Sequence, residues 1–426
     1  MAHALPSLPA LQPSCHKASL RAMIKRAARM DISNRIKRTS SPPVMEARRW
    51  LAETALPADL PLLNVSQAAP VDPPPEAMRR VMADALLTQA ETHLYGPVLG
   101  LPDLRSALAG QISRHYNANV AEAHVAITSG CNQAFAATIA TICDEEDEVL
   151  LPTPWYFNHK MWLDMAGISA VPLATDAGLM PTIAAAKAEI TKRTRAIVLV
   201  TPNNPAGVEY PATLVHAFYD LAREHGLTLI VDETYRDFDS RSEPAHALFS
   251  KPDWDAHFVH LYSFSKTYRL TGHRVGAMAA SPARLAEAEK FLDTVTICPS
   301  QIGQHAALWG IENLDNWVSG QRDEILARRT AITAHFPPLK AQGWQLLGLG
   351  AYFAYVRHPF TLPSDQLAQE LLEKAGILCL PGTMFRPATD PAGAAELRIA
   401  FANVDAHAIA TLFKRLSSLD QDALSC

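Results

Sequence analysis

Six short apolar runs, separated by segments of helical character, constrain the fold of this 426-residue chain most strongly. Each run is rich in Val, Ile and Leu and is bounded by turn residues. Apolar runs without polar alternation are typical of strands in a mostly parallel sheet that helices cover on both faces. The runs are AHVAIT, DEVLLP, RAIVLV, LTLIVD, FVHLYS and RVGAMAA. The pattern predicts an α/β fold.

The rest of the chain predicts a second, smaller α+β domain. We expect a large domain at residues 76–312, and a small domain with an N-terminal arm at 31–75 and 313–426. In the arm, SPPVMEARRWLAE is expected to form a short helix, and the proline-rich LPLLNVSQAAPVDPPP a linker rather than a core element. Beyond the large domain, a long helix is predicted from about residue 313, followed by the apolar segments GAYFAYV and AELRIAFAN.

Charge and composition argue against several classes of protein. The formal net charge is −5 and is spread along the chain, so there is no electrostatic case for binding nucleic acid. No apolar stretch approaches the roughly 20 residues that a membrane helix requires. The six cysteines are scattered without metal-binding spacing. We therefore expect no metal site, no membrane or nucleic-acid partner, and a cytoplasmic protein with free thiols.

Residues 1–30 have an unusual composition. They contain five basic residues and no acidic residue. Organelle transit peptides are basic and acid-poor, but so is a leader that precedes a later start at Met23 or Met30. We expect a disordered or misassigned leader, with organelle targeting as the alternative.

The residues that follow the apolar runs are the candidate functional residues, because ligands of open α/β sheets bind outside the carboxyl ends of the strands. Gly130, Cys131 and Asn132 follow the first run, where small residues at the start of a helix let backbone N–H groups face an anion. An ordinary turn is the alternative. Tyr156 follows the second run and is placed to stack on a planar ligand, with core packing as the alternative.

The next three runs are followed by polar or charged residues. Asn204 lies in the turn TPNNPAG, and Asp232 and Tyr235 lie in VDETY. An aspartate that completes an apolar strand is costly unless it is paired, lies at the mouth of a site or caps a helix. Lys266 follows FVHLYS, among hydroxyl and arginine side chains. Together these residues fit a phosphorylated, planar, cationic heterocycle that an amine holds covalently.

This set of residues resembles the class I/II aminotransferases, the fold-type-I enzymes that use pyridoxal 5′-phosphate (PLP). The resemblance is collinear from about residue 60 to 415. SFSKTYRLTGHRVG is similar to the lysine segment of the family, TPNNPAG to its N-P-x-G turn and VDETY to its D-E-x-Y segment. Five further segments match in order: YGPVLGLPDLRSAL, TSGCNQAF, PTPWYFNH, PGTMF and LRIAFAN. The resemblance implies the fold-type-I PLP transferase architecture.

The resemblance also implies a role for each residue around the cofactor ring. Lys266 is expected to hold PLP as a Schiff base and to move the substrate's α-proton. Asp232 is expected to pair with the pyridinium N–H and keep the ring protonated. Tyr235 and Asn204 are expected to hydrogen-bond the ring oxygen, and Tyr156 to stack on the ring face.

The same resemblance assigns a second group of residues to the phosphate of the cofactor. The helix start at Gly130, Cys131 and Asn132 is expected to supply backbone N–H groups. Ser263 is expected to add a hydroxyl and Arg274 a charge-assisted hydrogen bond.

The substrate and a neighbouring subunit are expected to meet at the same site. Arg398 matches the arginine that holds the substrate α-carboxylate, and Asn204 and Ala68 are assigned to the substrate side of the site. Tyr95 matches a tyrosine that reaches the phosphate bound by the neighbouring subunit. The resemblance therefore implies a homodimer with shared active sites.

Two departures from the family pattern concern the substrate. The family usually has a glycine where SQAAP offers Ala68 and Ala69, and an added methyl could narrow the substrate pocket. Members specialised for dicarboxylates carry an arginine before the turn that here is CPSQ, but KFLDTVTICPS contains none. This weakens a pure aspartate aminotransferase interpretation.

The resulting hypothesis is a PLP-dependent aminotransferase that moves an amino group between an L-amino acid and a 2-oxo acid by a ping-pong mechanism. The alternative is PLP-dependent β-elimination (a C–S lyase) or another lyase reaction, because Lys266, Asp232 and Tyr235 would serve both chemistries. A third hypothesis is a non-catalytic PLP-binding protein. A new amino acid formed from an oxo acid distinguishes transfer from elimination, which releases pyruvate and ammonia.

Overall fold

The structure of the protein is a computed structural model that describes residues 32–56 and 60–419. Residues 32–40 belong to one compact unit, in which the helix Asn34–Arg38 is described. Ser41–Cys426 form the other unit, to which all features below belong. The leader expected at residues 1–30 lies outside the described residues. In the described ranges, no helix is both long enough and apolar enough to span a membrane.

Thirteen strands occur in the described residues. In chain order they are β1 Leu63–Asn64, β2 Val125–Thr128, β3 Glu148–Pro152, β4 Ser169–Leu173, β5 Thr194–Val200, β6 Thr228–Asp232, β7 Phe258–Ser263, β8 Gly276–Ala279, β9 Gln345–Gly350, β10 Phe353–Arg357, β11 Ile377–Leu378, β12 Leu380–Pro381 and β13 Glu396–Ala400.

Seven of these strands form the main sheet, in the order β2-β8-β7-β6-β5-β3-β4. All neighbouring pairs are parallel except those that β8 makes with β2 and β7. All six apolar runs of the sequence form strands of this sheet, so the predicted α/β fold is confirmed. The sequence reading missed β4, an edge strand that contains Pro172 and is only partly buried. An edge position tolerates both features, which weakens the apolar signal.

Helices cover both faces of the main sheet. The α-helices of the second unit are Pro43–Glu53, Glu76–Thr88, Pro102–Tyr116, Cys131–Ala140, Phe157–Ala166, Ile183–Glu189, Ala212–His225, Phe264–Thr267, Pro282–Thr296, Gln301–Asn313, Asp315–His335, Pro337–Ala341, Ser364–Ala375 and Ala406–Ser417. The long helix predicted from about residue 313 is Asp315–His335.

Alternate residues of β6 show how the sheet is buried on both sides. Leu229 and Val231 belong to one hydrophobic cluster, whereas Ile230 belongs to another. Successive side chains of a strand point to opposite faces, so the two clusters lie on opposite sides of the sheet. This double burial explains why Leu229, Ile230 and Val231 are all apolar.

The remaining strands form two smaller sheets. β12, β13, β10 and β9 pair in that order as an antiparallel sheet, and β1 pairs with β11 in parallel. The proline-rich segment that we expected to be a linker is therefore structured at β1, and Val65 beyond it is fully buried. Val65 belongs to a hydrophobic cluster that also includes residues of the antiparallel sheet, so this segment contributes to the core. The domain boundaries near residues 76 and 312 stay a prediction.

Gly276, at the start of β8, holds that strand close to the helix Cys131–Ala140. A Cβ atom at Gly276 would overlap the backbone of Gly130 and Cys131. Only a residue without a side chain permits this approach, which fixes the start of the helix against the sheet.

Replacing Gly276 with alanine should therefore destabilise the protein by about 1–3 kcal/mol, as overpacking of a tight core does. Gly320→Ala is the matched control, because a Cβ there meets nothing within 4 Å and the residue is inside the helix Asp315–His335. This control should be neutral or stabilising by roughly 0.5–1 kcal/mol. Urea unfolding of both variants measures the difference, and equal stabilities would contradict the packing argument.

Candidate active site

A cavity of about 310 Å³ opens at the carboxyl ends of the central strands. Val200, Asp232 and Ser263, the last residues of β5, β6 and β7, all line it. Parallel strands bring such residues to one edge of a sheet, as expected for the ligand site of an α/β fold.

The cavity brings together most of the residues that the sequence singles out. Those that line it are Ala68, Cys131, Asn132, Tyr156, Asn204, Asp232, Tyr235, Ser263, Lys266, Arg274 and Arg398. Gly130 lies beside them, since a Cβ atom on it would overlap the guanidinium of Arg274. Tyr95 is the exception, because it does not line this cavity.

One end of the cavity is built to hold an anion. Gly130 precedes the helix Cys131–Ala140 with φ +92°, a conformation that favours glycine. The Arg274 guanidinium lies against Gly130, and its Nη1 lies 3.5 Å from Ser265 Oγ. Ser263 Oγ accepts a hydrogen bond of 3.3 Å from the backbone N–H of Ser265. Helix N–H groups, hydroxyls and a guanidinium in one place are a suitable donor set for a phosphate.

Lys266 lies in the short helix Phe264–Thr267 directly after β7, so the strand end sets its position. Its amine faces a cavity that also contains the guanidinium groups of Arg274 and Arg398. Burial, followed by the positive charges of these two arginines, lowers the pKa of the Lys266 amine to about 8. Near neutral pH, a useful fraction of this amine is therefore in the neutral, nucleophilic form.

Asp232 has a buried partner that the sequence reasoning missed. His159 Nε2 lies 3.2 Å from Asp232 Oδ2, and both side chains are almost fully buried. The backbone N–H of Thr234 also donates to Asp232 Oδ1 at 3.0 Å. Burial alone would raise the pKa of the Asp232 carboxyl, but His159 and Thr234 offset this and hold the pKa below its ordinary value. Asp232 is therefore a fixed negative charge at this point of the cavity.

The ring of His159 is held by aromatic neighbours. It stacks on Phe135 with a centroid distance of 3.9 Å and meets Tyr156 edge to face at 4.9 Å. The sequence signal that could have identified His159 is its spacing from Tyr156. His159 follows Tyr156 by three residues at the start of the helix Phe157–Ala166, and residues with this spacing share a helix face.

The two cavity tyrosines are also fixed by their neighbours. The Tyr156 hydroxyl accepts a hydrogen bond of 2.8 Å from Asn158 Nδ2. Burial raises the pKa of Tyr156 to about 12, so its hydroxyl stays protonated. Tyr235 packs edge to face against Tyr352 and Phe353, with centroids 5.2 and 5.1 Å away.

Arg398 is a buried cation without a carboxylate partner among the described residues. Its Nη1 donates to Asn204 Oδ1 at 3.0 Å and its Nη2 to the backbone oxygen of Ser66, while its Nε has no hydrogen-bond partner. The rings of Phe353 and Phe385 flank the guanidinium at 5.3 and 5.0 Å. Burial lowers the pKa of Arg398 to about 10. A buried guanidinium in this state is a receptor for an anion.

Several other cavity residues were not singled out from the sequence. They are Pro42, Val44, Gln67, Phe157, Asn158, Val200, Thr234 and Ser265. Pro42 and Val44 are at the start of the helix Pro43–Glu53, some 200 residues before the lysine segment, and no local motif marks them. Asn158 and Ser265 lie within quoted motifs, so nearness to Tyr156 and Lys266 could have identified them.

Tyr95 lies on the surface, with 80% of its side chain exposed. Its segment contacts the region before the helix Gln301–Asn313: Gly96 N–H donates to Cys298 Sγ at 3.3 Å, and Gln301 Nε2 donates to the Leu94 oxygen at 3.0 Å. Within one chain, Tyr95 is therefore not part of the cavity.

The arrangement as a whole fits a phosphorylated pyridine ring. Arg274 and the glycine-preceded helix start suit the phosphate, the Asp232 carboxylate suits a protonated ring nitrogen, and the Lys266 amine suits an aldehyde carbon. The unpaired Nε of Arg398 leaves a buried donor for a further anion.

Comparison with known families gives one match over most of the chain. The sequence matches the family described as aminotransferase class I and II over residues 61–416. The expected resemblance is thereby confirmed.

Named relatives of the chain are aminotransferases. It is 28% identical to an aromatic aminotransferase of Arabidopsis thaliana over 362 residues, which cover 82% of this chain and 88% of that protein. It is 29% identical to the aspartate/prephenate aminotransferase of Thermus thermophilus over 322 residues, which cover 73% of this chain and 79% of that protein. Neither name supports the elimination alternative.

Two solved structures with a similar fold are also named as aminotransferases. A double mutant of Thermus thermophilus aspartate aminotransferase is 25% identical, with a TM-score of 0.80 over 91% of this chain and 99% of that one. The N-succinyldiaminopimelate aminotransferase of Mycobacterium tuberculosis is 24% identical, with a TM-score of 0.82 over 92% and 100% of the two chains. The latter likeness concerns the fold alone.

The depressed pKa of Lys266 can be measured directly in cofactor-free protein. With lysines dimethylated by ¹³C-formaldehyde and borohydride, one methyl resonance should titrate near pH 8, because burial and two arginines disfavour the charged amine. The low-pH resonance should be missing from Lys266→Arg. The absence of any methyl resonance that titrates near pH 8 would contradict the electrostatic description of the site.

Proposed function

The chain belongs to the class I and II aminotransferases, which use pyridoxal phosphate, and on this premise we propose how its own residues carry out the transfer. The observation that carries the proposal is the Lys266 amine, which lies in one cavity with Arg274, Asp232 and Arg398. We propose that the enzyme moves an amino group from an L-amino acid to a 2-oxo acid by a ping-pong mechanism.

We assign the binding of the cofactor to two groups of residues. Arg274, Ser263 and the N–H groups at the start of the helix Cys131–Ala140 would hold the phosphate. Asp232, kept ionised by His159, would hold the protonated ring nitrogen. Asn204 and Tyr235 would hold the ring oxygen and Tyr156 the ring face, while Lys266 would supply the covalent attachment.

The chemistry at the substrate is divided between the cofactor and Lys266. Pyridoxal phosphate, when bound, supplies an electron sink for the substrate's α-carbon. Lys266 Nζ would take the proton from that carbon and then deliver it to a different atom of the reacting molecule. This role suits an amine with a pKa of about 8, because both protonation states are accessible. The proton would thus be held at one atom of the cavity lining.

Arg398 would bind the substrate α-carboxylate. Its guanidinium is buried, lacks a carboxylate partner among the described residues and has an unpaired Nε. A carboxylate with a planar fork of acceptors would satisfy this donor and restore neutrality. Asn204 Oδ1 and the Ser66 carbonyl hold the guanidinium in place from the other side.

The transfer reaction can be tested in two half-reactions with holoenzyme. An amino donor alone should convert the visible absorbance of the cofactor to that of the amine form, and an added oxo acid should then yield a new amino acid. Lys266→Ala should slow both steps by roughly 10²–10⁴-fold, which is the usual contribution of a positioned acid–base group to the rate. Lys290→Ala, which removes an exposed lysine on the helix Pro282–Thr296, should behave as wild type.

Two results would contradict this proposal. Release of pyruvate and ammonia without any new amino acid would favour the elimination alternative. Turnover of Lys266→Ala at the wild-type rate would remove the catalytic assignment of the lysine.

We propose that the enzyme is a homodimer in which Tyr95 completes the neighbour's site. Support comes from an exposed apolar surface around it. Leu87, Leu94 and Tyr95 are 83%, 66% and 80% exposed, and Val295 and Ile297 are 58% and 39% exposed. The hydrogen bonds from Gly96 and Gln301 described above join the two segments that carry these residues. A second copy of the chain would cover this surface and bring its own tyrosine to the phosphate end of the cavity.

A mixing experiment tests whether Tyr95 acts across subunits. Tyr95→Ala and Lys266→Ala are each expected to be nearly inactive. After denaturation and joint refolding, a hybrid dimer would contain one intact site, so activity should return to roughly a quarter of that of wild type for random assortment. No recovery, with hybrids verified by differently tagged chains, would show that Tyr95 does not act across subunits.

We also propose that the enzyme resides in the cytoplasm. The support is chemical: the four cysteines that the structure describes are free thiols. Unpaired thiols of this kind persist most readily in a reducing compartment.

A further inference from the structure

The wall of the cavity beside Arg398 is apolar. Phe385 does not itself line the cavity, but its ring lies 5.0 Å from the Arg398 guanidinium carbon and its centroid lies 5.8 Å from that of the lining residue Phe157. Phe157 lines the cavity and belongs to a buried cluster against which Val44, another lining residue, also packs. The apolar wall therefore begins next to the group that we assign to the substrate α-carboxylate.

In the proposed function, each cation of the described lining already has an assigned partner. Among the described residues that line the cavity, the cations are Lys266, Arg274 and Arg398. In the proposed function these are the covalent attachment, the phosphate partner and the α-carboxylate partner. The lining that one chain contributes thus offers, among its described residues, no further cation for a second carboxylate, and it contains the fixed negative charge of Asp232.

Two neutral amide side chains on this side, Gln67 and Asn158, already make hydrogen bonds within the protein. Gln67 Oε1 accepts a hydrogen bond of 3.1 Å from Arg48 Nη2, and Asn158 Nδ2 donates to the Tyr156 hydroxyl at 2.8 Å. The amide N–H groups of both side chains are neutral, so neither residue supplies a counter-ion for a substrate carboxylate. A substrate carboxylate here would lose its hydration without gaining a counter-ion, whereas an apolar side chain would gain from burial.

We infer that this cavity selects amino donors with neutral, apolar side chains, aliphatic or aromatic, over dicarboxylic amino acids. The inference rests on the proposed function, because it assumes that Arg398 holds the α-carboxylate. The same cavity serves both half-reactions of a ping-pong enzyme, so oxo acids that lack a second carboxylate are the matching acceptors.

The test measures the donor half-reaction of the holoenzyme, without acceptor, for L-phenylalanine, L-leucine and L-methionine against L-aspartate and L-glutamate. The apolar donors should have kcat/KM values at least about 100-fold higher, since an unpaired buried charge is rejected strongly. Values for L-aspartate within tenfold of those for L-phenylalanine would overturn the inference alone. Failure of every donor would instead overturn the proposed function, and the inference with it.

Variants of the helix Pro43–Glu53 locate the selectivity in the wall. Val44→Lys places an ammonium group in the cavity, so the ratio of kcat/KM for aspartate to that for phenylalanine should rise at least about tenfold. Met45→Lys is the matched control: it adds the same charge at the next position, which is 45% exposed and does not line the cavity, so the ratio should stay unchanged. An equal ratio in the two variants would overturn the assignment of Val44.

Arg48 provides a further check, because it is the exposed guanidinium that contacts Gln67. If this arginine turned inward to bind a second carboxylate, Arg48→Ala would depress the reaction of aspartate selectively, and the inference would be overturned. We expect Arg48→Ala to leave the ratio of the two donors unchanged.

Discussion

Parallel pairing of β5, β6 and β7 is the constraint on which the site depends. The register sets Val200 opposite Asp232, and Asp232 opposite Leu261, so that β5 and β6 end level and β7 continues to Ser263 beside them. Lys266 follows the end of β7 in a one-turn helix, and Asp232 ends the strand beside it. Each strand is buried on both faces, so a slip of this register would expose apolar side chains and carry the aspartate away from His159. The stability of the sheet and the geometry of the site therefore have the same origin.

The electrostatics of the cavity follow from an imbalance of buried charge. Lys266, Arg274 and Arg398 face the single carboxylate of Asp232 across the lining. Burial depresses the pKa of both Lys266 and Arg398, which shows how strongly the folded protein disfavours these charges without partners. Anionic groups of the cofactor and the substrate would supply the missing negative charge. The protein thus holds in its folded state an electrostatic strain that its proposed ligands relieve.

The sequence alone could predict the parallel sheet and the residues at its strand ends, because both are local patterns. Lys266, Asp232 and Asn204 follow apolar runs directly, and a general rule places such residues at the ligand site. The partner of Asp232 could not be predicted with the same security, since His159 lies in the helix Phe157–Ala166, far from strand β6 in the sequence. Val44 comes from a distant segment with no motif of its own, and the match of PGTMF does not show what Phe385 contacts, so only the tertiary fold reveals the apolar wall. β4 escaped prediction because an edge strand is under weaker pressure to be apolar.

Arg398 joins parts of the chain that are synthesised far apart in time. It comes from β13, yet its hydrogen-bond partners are Asn204, 194 residues earlier, and the Ser66 carbonyl, 332 residues earlier. The chain must therefore be nearly complete before the carboxylate receptor exists, although every strand of the main sheet precedes it in the sequence. A partly synthesised chain could assemble the sheet and the lysine segment without yet presenting the substrate anchor. The substrate anchor therefore depends on packing between the segments around Ser66, Asn204 and Arg398.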